Sequence, residues 1–118
     1  MGDAGQRRPR FGYNDAVGAR LVRAQGRPPT DDEVEHWFAQ QGLSARTWGN
    51  APHDRYRSHR HGYHKILYCL SGSIVFHVGT DDLELRPGDR LDVEAGTDHA
   101  ATVGPHGVRC IEAARPPW

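Results

Sequence analysis

Three imidazoles and one amine fall within the seven residues His59-Arg60-His61-Gly62-Tyr63-His64-Lys65, and Lys65 is the only lysine in a chain with fourteen arginines. Side chains of an extended segment alternate between faces, so His59 and His61 share one face and can offer their ring nitrogens to a single ion. Lys65 has the same parity and His64 the opposite one. Neutral imidazoles suit zinc, iron, nickel, copper or manganese. An ammonium a few ångströms from a divalent cation would instead oppose its binding. The pattern therefore suggests metal chemistry with an amine where metal sites more often carry a carboxylate.

Such residues need a sheet to hold them. From Leu43 onward, short β-type runs alternate with Gly, Pro and Asp, and the expected strands are Ala45 to Trp48, Tyr56 to His61, Lys65 to Leu70, Ser73 to Val78, Asp82 to Arg86, Arg90 to Val93, Ala100 to Val103 and Val108 to Ala113. Turns are expected at Ser71-Gly72, Gly79-Thr80-Asp81, Pro87-Gly88-Asp89, Ala95-Gly96-Thr97 and Gly104-Pro105-His106-Gly107. Short strands in this number, with no helix-sized spacers and no internal repeats, predict an antiparallel sandwich or barrel that closes as a jelly roll.

One helix precedes the strands, over about 31–41. Thr30 and Glu33 form a Thr-x-x-Glu capping box, Asp31, Asp32 and Glu33 place negative charge at the positive end of the helix dipole, and Gly42 supplies a left-handed stop. Leu43 is expected to pack back on Phe38. Val34, Trp37 and Phe38 make an apolar stripe that would dock the helix on the sheet.

At 118 residues the chain suits one domain, read here as an N-terminal extension over 1–28, partly flexible, and a single β-barrel domain over 29–118 that includes the helix. Fifteen basic residues balance fifteen acidic ones, so no global field draws the protein to nucleic acid or to an anionic membrane. Arg7, Arg8 and Arg10 read as part of a solvated tail. The absence of a long apolar run leads to the expectation of a soluble, cytoplasmic protein. Cys69 and Cys110 lie in apolar stretches and read as small buried hydrophobes, with a bridge between neighbouring strands as the alternative.

Several spacings together resemble the two signature motifs of the cupin family. In the first motif His59, His61 and Gly72 fall in place, Lys65 occupies the glutamate position, and His53 stands at the first glycine. In the second, Gly88, Gly96 and His99 match, while Glu94 replaces a proline and Val103 an asparagine. The fifteen residues from Ser73 to Pro87 that separate the motifs are also of a length typical of the family. The resemblance covers roughly Ala45 to Ala113. It implies an all-β jelly-roll barrel with one short N-terminal helix, in which His99 joins His59 and His61 around one divalent transition metal such as iron, manganese, nickel or zinc.

With lysine at the glutamate position, three outcomes stand. Three histidines alone hold the metal and Lys65 stays charged to pair with an anionic ligand; or a depressed pKa makes Lys65 a neutral ligand, base or nucleophile; or no metal binds and the site is an anion pocket. A bulge near Gly62 would turn Lys65 outward. His64 is expected to face away from the cavity, His77 to be exposed or to support a ligand, and His36, His53 and His106 to be solvated.

The expected function is binding, with oxidation or isomerisation as the associated chemistry, of a small anionic organic molecule at the three-histidine site, in the manner of iron-dependent cupin dioxygenases. A ligand-sensing module without turnover is the alternative. A DNA-binding helix pair does not fit in the first 44 residues. The helix stripe, Trp48 and Trp118 supply apolar surface for a homodimer.

Overall fold

The computed structural model describes residues 15–117, so Arg7, Arg8, Arg10 and Trp118 lie outside the described residues. In chain order the elements are β1 (Asp15–Ala16), β2 (Ala19–Val22), α1 (Asp31–Gln40), β3 (Arg46–Asn50), β4 (Arg55–His59), β5 (His64–Val78), β6 (Asp81–Leu85), β7 (Arg90–Val93) and β8 (His99–Arg115). The helix carries the expected capping box: Thr30 Oγ1 accepts from the Glu33 amide at 3.2 Å, and Glu33 Oε1 accepts from the Thr30 amide at 2.8 Å. Its last turn closes through Gln41, Gly42 and the amide of Leu43, which reaches the Phe38 carbonyl.

Two pairs of expected strands are in fact single strands. Lys65 to Leu70 and Ser73 to Val78 merge into β5, and Ala100 to Val103 and Val108 to Ala113 merge into β8. The intervening Ser71-Gly72 and Gly104 to Gly107 segments do not reverse the chain. They lie opposite one another, and the register steps from Gly72↔Val108 to Ile74↔Val103, so extra residues are accommodated as a bulge in an otherwise continuous antiparallel pair. Gly72 is required at the bend. Its φ is +71°, and a Cβ there would collide with the Gly107 carbonyl oxygen.

This bend folds one sheet over on itself. The strand path runs β1-β2-β7-β5-β8-β3, with β6 added to β5 and β4 added to β8. The first half of β5 pairs with β7 and its second half with β6, while β8 pairs with β4 near its start and with β3 near its end. The result is a jelly-roll barrel whose hydrogen-bonded path is open at β1 and β3. Residues 15–22, ahead of the helix, belong to this sheet through the β2–β7 ladder.

Alternation sorts the side chains into two clusters. Leu67, Cys69, Ile74, Phe76, Leu85, Leu91, Val103 and Cys110 fill the interior, each at most 3% exposed. Ile66, Ile111 and Ala113 point the other way and receive Val34 and Phe38 of α1. Trp37, Phe38 and Tyr68 meet edge to face there with ring centroids 5.2 to 5.9 Å apart, and the Arg90 guanidinium lies 4.9 Å from the Trp37 ring. Burying Phe38 and Val34 contributes about 1.5–3 kcal/mol each, and it turns the helix stripe inward. Cys69 and Cys110 are both buried, free and opposite each other across β5 and β8. Thiol contact and burial push the Cys110 pKa up, which keeps it protonated. Among the described residues no helix is long and apolar enough to cross a membrane.

Candidate metal centre

Register brings the first two histidines together. His59 ends β4, His99 begins β8, and the two are directly paired across that ladder, which sets their rings 4.4 Å apart. The expected strand ran to His61, but β4 stops at His59, so the place of His61 is fixed by loop contacts and not by strand alternation. The Gly96 amide donates to the His61 carbonyl at 2.8 Å, tying the His61 loop to the loop before β8. Arg60 and Asp98 clamp the same two loops through bonds of 2.8 and 3.2 Å. The His61 ring then sits 4.9 Å from His59 and 5.3 Å from His99, stacked on Tyr63.

One ligand nitrogen from each of His59, His61 and His99 lies within 4.8 Å of the others. These three residues would hold an ion placed among them, with imidazole nitrogens as its ligands. The hydrogen bonds favour that use. His59 Nδ1 donates to the Arg57 carbonyl at 2.7 Å and His99 Nδ1 to the Thr97 carbonyl at 2.9 Å, which leaves Nε2 of each as the lone-pair nitrogen. Nε2 of His61 and Nε2 of His99 are buried without a hydrogen-bond partner. A buried polar atom left unpaired costs about 1–3 kcal/mol, a cost that an ion would remove. Burial, followed by the charge of Lys65 and the His59 imidazole, lowers the His61 pKa against an opposing effect of Glu112. Burial lowers that of His99 against an opposing contribution from its Thr97 bond. Both rings are thus kept neutral, as ligation demands. The residues present fit a transition metal.

Lys65 shares its parity with Leu67 and Cys69 and projects inward; no bulge reverses it. Its ammonium is not bare, because Nζ lies 3.2 Å from Oε1 of Glu112, and the same oxygen accepts from Trp48 Nε1 at 2.7 Å. Lys65, Glu112, Trp48, His59, Tyr56 and Phe76 all line one cavity of about 220 Å³, and Tyr56 donates from its hydroxyl to Asn50 Oδ1. Glu112 was not singled out by the sequence reading. Its signal was there: it continues the inward phase of Val108 and Cys110, so it is a carboxylate on the buried side of a strand.

The remaining histidines have other work or none. His64 accepts from the Ala95 amide at 3.0 Å, and His77 bridges Asp82 at 2.7 Å and Thr102 at 2.9 Å. His36, His53 and His106 are exposed.

Comparison with known proteins bears on the family and the fold. The family model described as the cupin domain matches residues 47–112. Quercetin 2,3-dioxygenase of Bacillus subtilis is 34% identical over 59 residues, 49% of this chain, and the chain spans only 18% of that relative's length. Among solved structures, an RmlC-like cupin from Shewanella frigidimarina superposes with a TM-score of 0.56 at 24% identity, covering 63% of this chain and 66% of the other. A cupin superfamily protein from Desulfitobacterium hafniense gives 0.57 at 15% identity over 98% of this chain and 89% of the other. The matched domain takes in β5, most of β8 and all three histidines, and the chain belongs to the cupin family.

Proposed function

We propose that this protein is a metal-binding cupin that holds one divalent transition ion, iron, manganese, nickel or zinc, on His59, His61 and His99 and takes a small anionic organic molecule in the adjoining cavity. With iron, the proposed reaction is oxidation of that molecule by dioxygen. The observation that carries this reading is the pair of buried, unpartnered Nε2 atoms of His61 and His99 beside His59. A bound ion of this kind supplies Lewis acidity and, when redox-active, a route for dioxygen chemistry. The likeness to a quercetin dioxygenase supports oxygen chemistry on an organic substrate.

The protein's own part is to hold and orient. Two backbone carbonyls fix the tautomers of His59 and His99, the Arg60–Asp98 clamp fixes the approach of His61, and aromatic walls shape the cavity. The lysine at the glutamate position leaves the proposed ligand set neutral. Since Glu112 balances Lys65, the preference for an anion is assigned to the ion itself and to Arg46, which is exposed and lines the same cavity. A cytoplasmic homodimer completes the reading, its oligomeric state to be read by light scattering.

Elemental analysis of protein purified from metal-supplemented cells tests the proposal. About one equivalent of transition metal is expected in the native chain, and under about a tenth in His99→Ala. Metal at that low level in the native chain contradicts it. Oxygen uptake by the iron-loaded protein with hydroxylated aromatic acids then separates an oxygenase from a module that binds without turnover.

A further inference from the structure

Lys65 and Glu112 are diagonal neighbours on the inner face of the β5–β8 ladder, Lys65 standing opposite Ala114 and Glu112 opposite Leu67. Each side chain is 12% exposed. Both fixed donors, Lys65 Nζ and Trp48 Nε1, converge on Oε1 of Glu112. Oε2 has no protein partner among the described residues, although Glu112 lines the cavity it shares with His59. An ionised carboxylate offers about four acceptor sites over its two oxygens. Here two are used, on one oxygen, and the other oxygen is held in a fixed orientation at the wall of a cavity. That is the arrangement of an acceptor awaiting a donor.

The cavity also limits what the donor is. Its volume of about 220 Å³ is small, below the roughly 300 Å³ at which pockets for drug-sized ligands begin. Trp48, Tyr56 and Phe76 give it aromatic walls. A second carboxylate brought to Glu112 would meet like charge, and an ether would leave Oε2 unpaired.

We propose that Oε2 of Glu112 accepts a hydrogen bond from a hydroxyl of the ligand, and that the cavity suits a one-ring aromatic molecule with two oxygens. One oxygen faces the histidine end and the other, a hydroxyl, faces Glu112. Lys65 is a positioning residue that pins the carboxylate, a role different from anchoring an anion directly. The first contact rests on the metal-site reading above, whereas the second depends only on Trp48, Lys65 and Glu112.

The test is calorimetric titration of the zinc-loaded protein with catechol and with its di-O-methyl ether, in the native chain, in Glu112→Gln and in the double variant Lys65→Met/Glu112→Leu. Catechol is expected to bind at least about tenfold more tightly than the ether to the native chain, and to lose about tenfold or more in both variants. The ether is expected to change by less than about twofold, because it makes no donor contact to lose. Zinc content should stay level in both variants, since Glu112 is not among the proposed ligands. An unchanged catechol affinity in whichever variant is folded overturns the proposal, as does an equal loss for catechol and ether, or no preference for catechol in the native chain. If the native chain fails to hold zinc, the metal reading has failed separately, and the same catechol-to-ether ratio is measured on the metal-free protein.

Discussion

On its outer face the β5–β8 ladder carries Ile66, Ile111 and Ala113 beneath Val34 and Phe38 of α1, whereas on its inner face near the mouth it carries Lys65 and Glu112 beside the three histidines. The outer face obeys every local rule: an apolar stripe meets an apolar surface, and the helix that brings it is capped at both ends. The inner face leaves two buried ring nitrogens without partners and places an ion pair in an aromatic-walled cavity. The difference separates residues that satisfy one another by packing from residues whose buried polar atoms find no partner among the described residues. Packing is complete on the helix side, and polar groups are left open on the other.

Removing a ring from the packed side should have the largest effect. Phe38→Ala empties a site that is 1% exposed, and it should destabilise the protein by about 3–5 kcal/mol in urea melts. Metal content of the molecules that remain folded should not change. Parallel loss of metal and stability would break the distinction between the two regions.

Acid should act through the other side. Burial holds the His61 and His99 pKa values below the ordinary 6.5 in the folded state. As pH falls from 6.5 toward those lower values, the unfolded chain binds more protons than the folded one, so the stability of metal-free protein should drop across that window. Well above 6.5 both states are neutral at these rings and this contribution is flat. Thermal melts of the native chain against His61→Gln/His99→Gln would show it, and an identical acid slope in the two would contradict it.

Arg60→Ala should have the smallest effect. The Arg60–Asp98 pair is exposed, so its loss should cost no more than about 1 kcal/mol of stability. Because the pair sits between the loops carrying His61 and His99, zinc affinity measured by chelator competition should fall more than that cost alone would suggest. Unchanged affinity would restrict the clamp to the surface.

Much of the packed side was legible in the sequence because its signals are local. Thr30, Glu33 and Gly42 mark the helix, and period-two alternation marks the strands. The merging of strands into β5 and β8 was not legible: Ser71-Gly72 and Gly104 to Gly107 have turn chemistry, and only their opposition across the ladder makes them bulges. At the site, His-x-His spacing pointed to a pair, but through a strand that ends at His59, and His61 is placed by loop contacts instead. Resemblance to the cupin motifs, not spacing, brought in His99. Glu112 was missed because a carboxylate forty-seven positions from Lys65 becomes its partner only through the β5–β8 register.

The central claim is that His59, His61 and His99 form one metal site. Histidine ring-nitrogen NMR during titration of zinc into metal-free protein tests it most directly. The expected result is that Nε2 of these three residues shifts together and saturates at about one equivalent, with Nδ1 protonated in His59 and His99 throughout and the rings of His64 and His77 unmoved. Shifts confined to exposed His36, His53 and His106, or no saturable shift at all, would contradict the account.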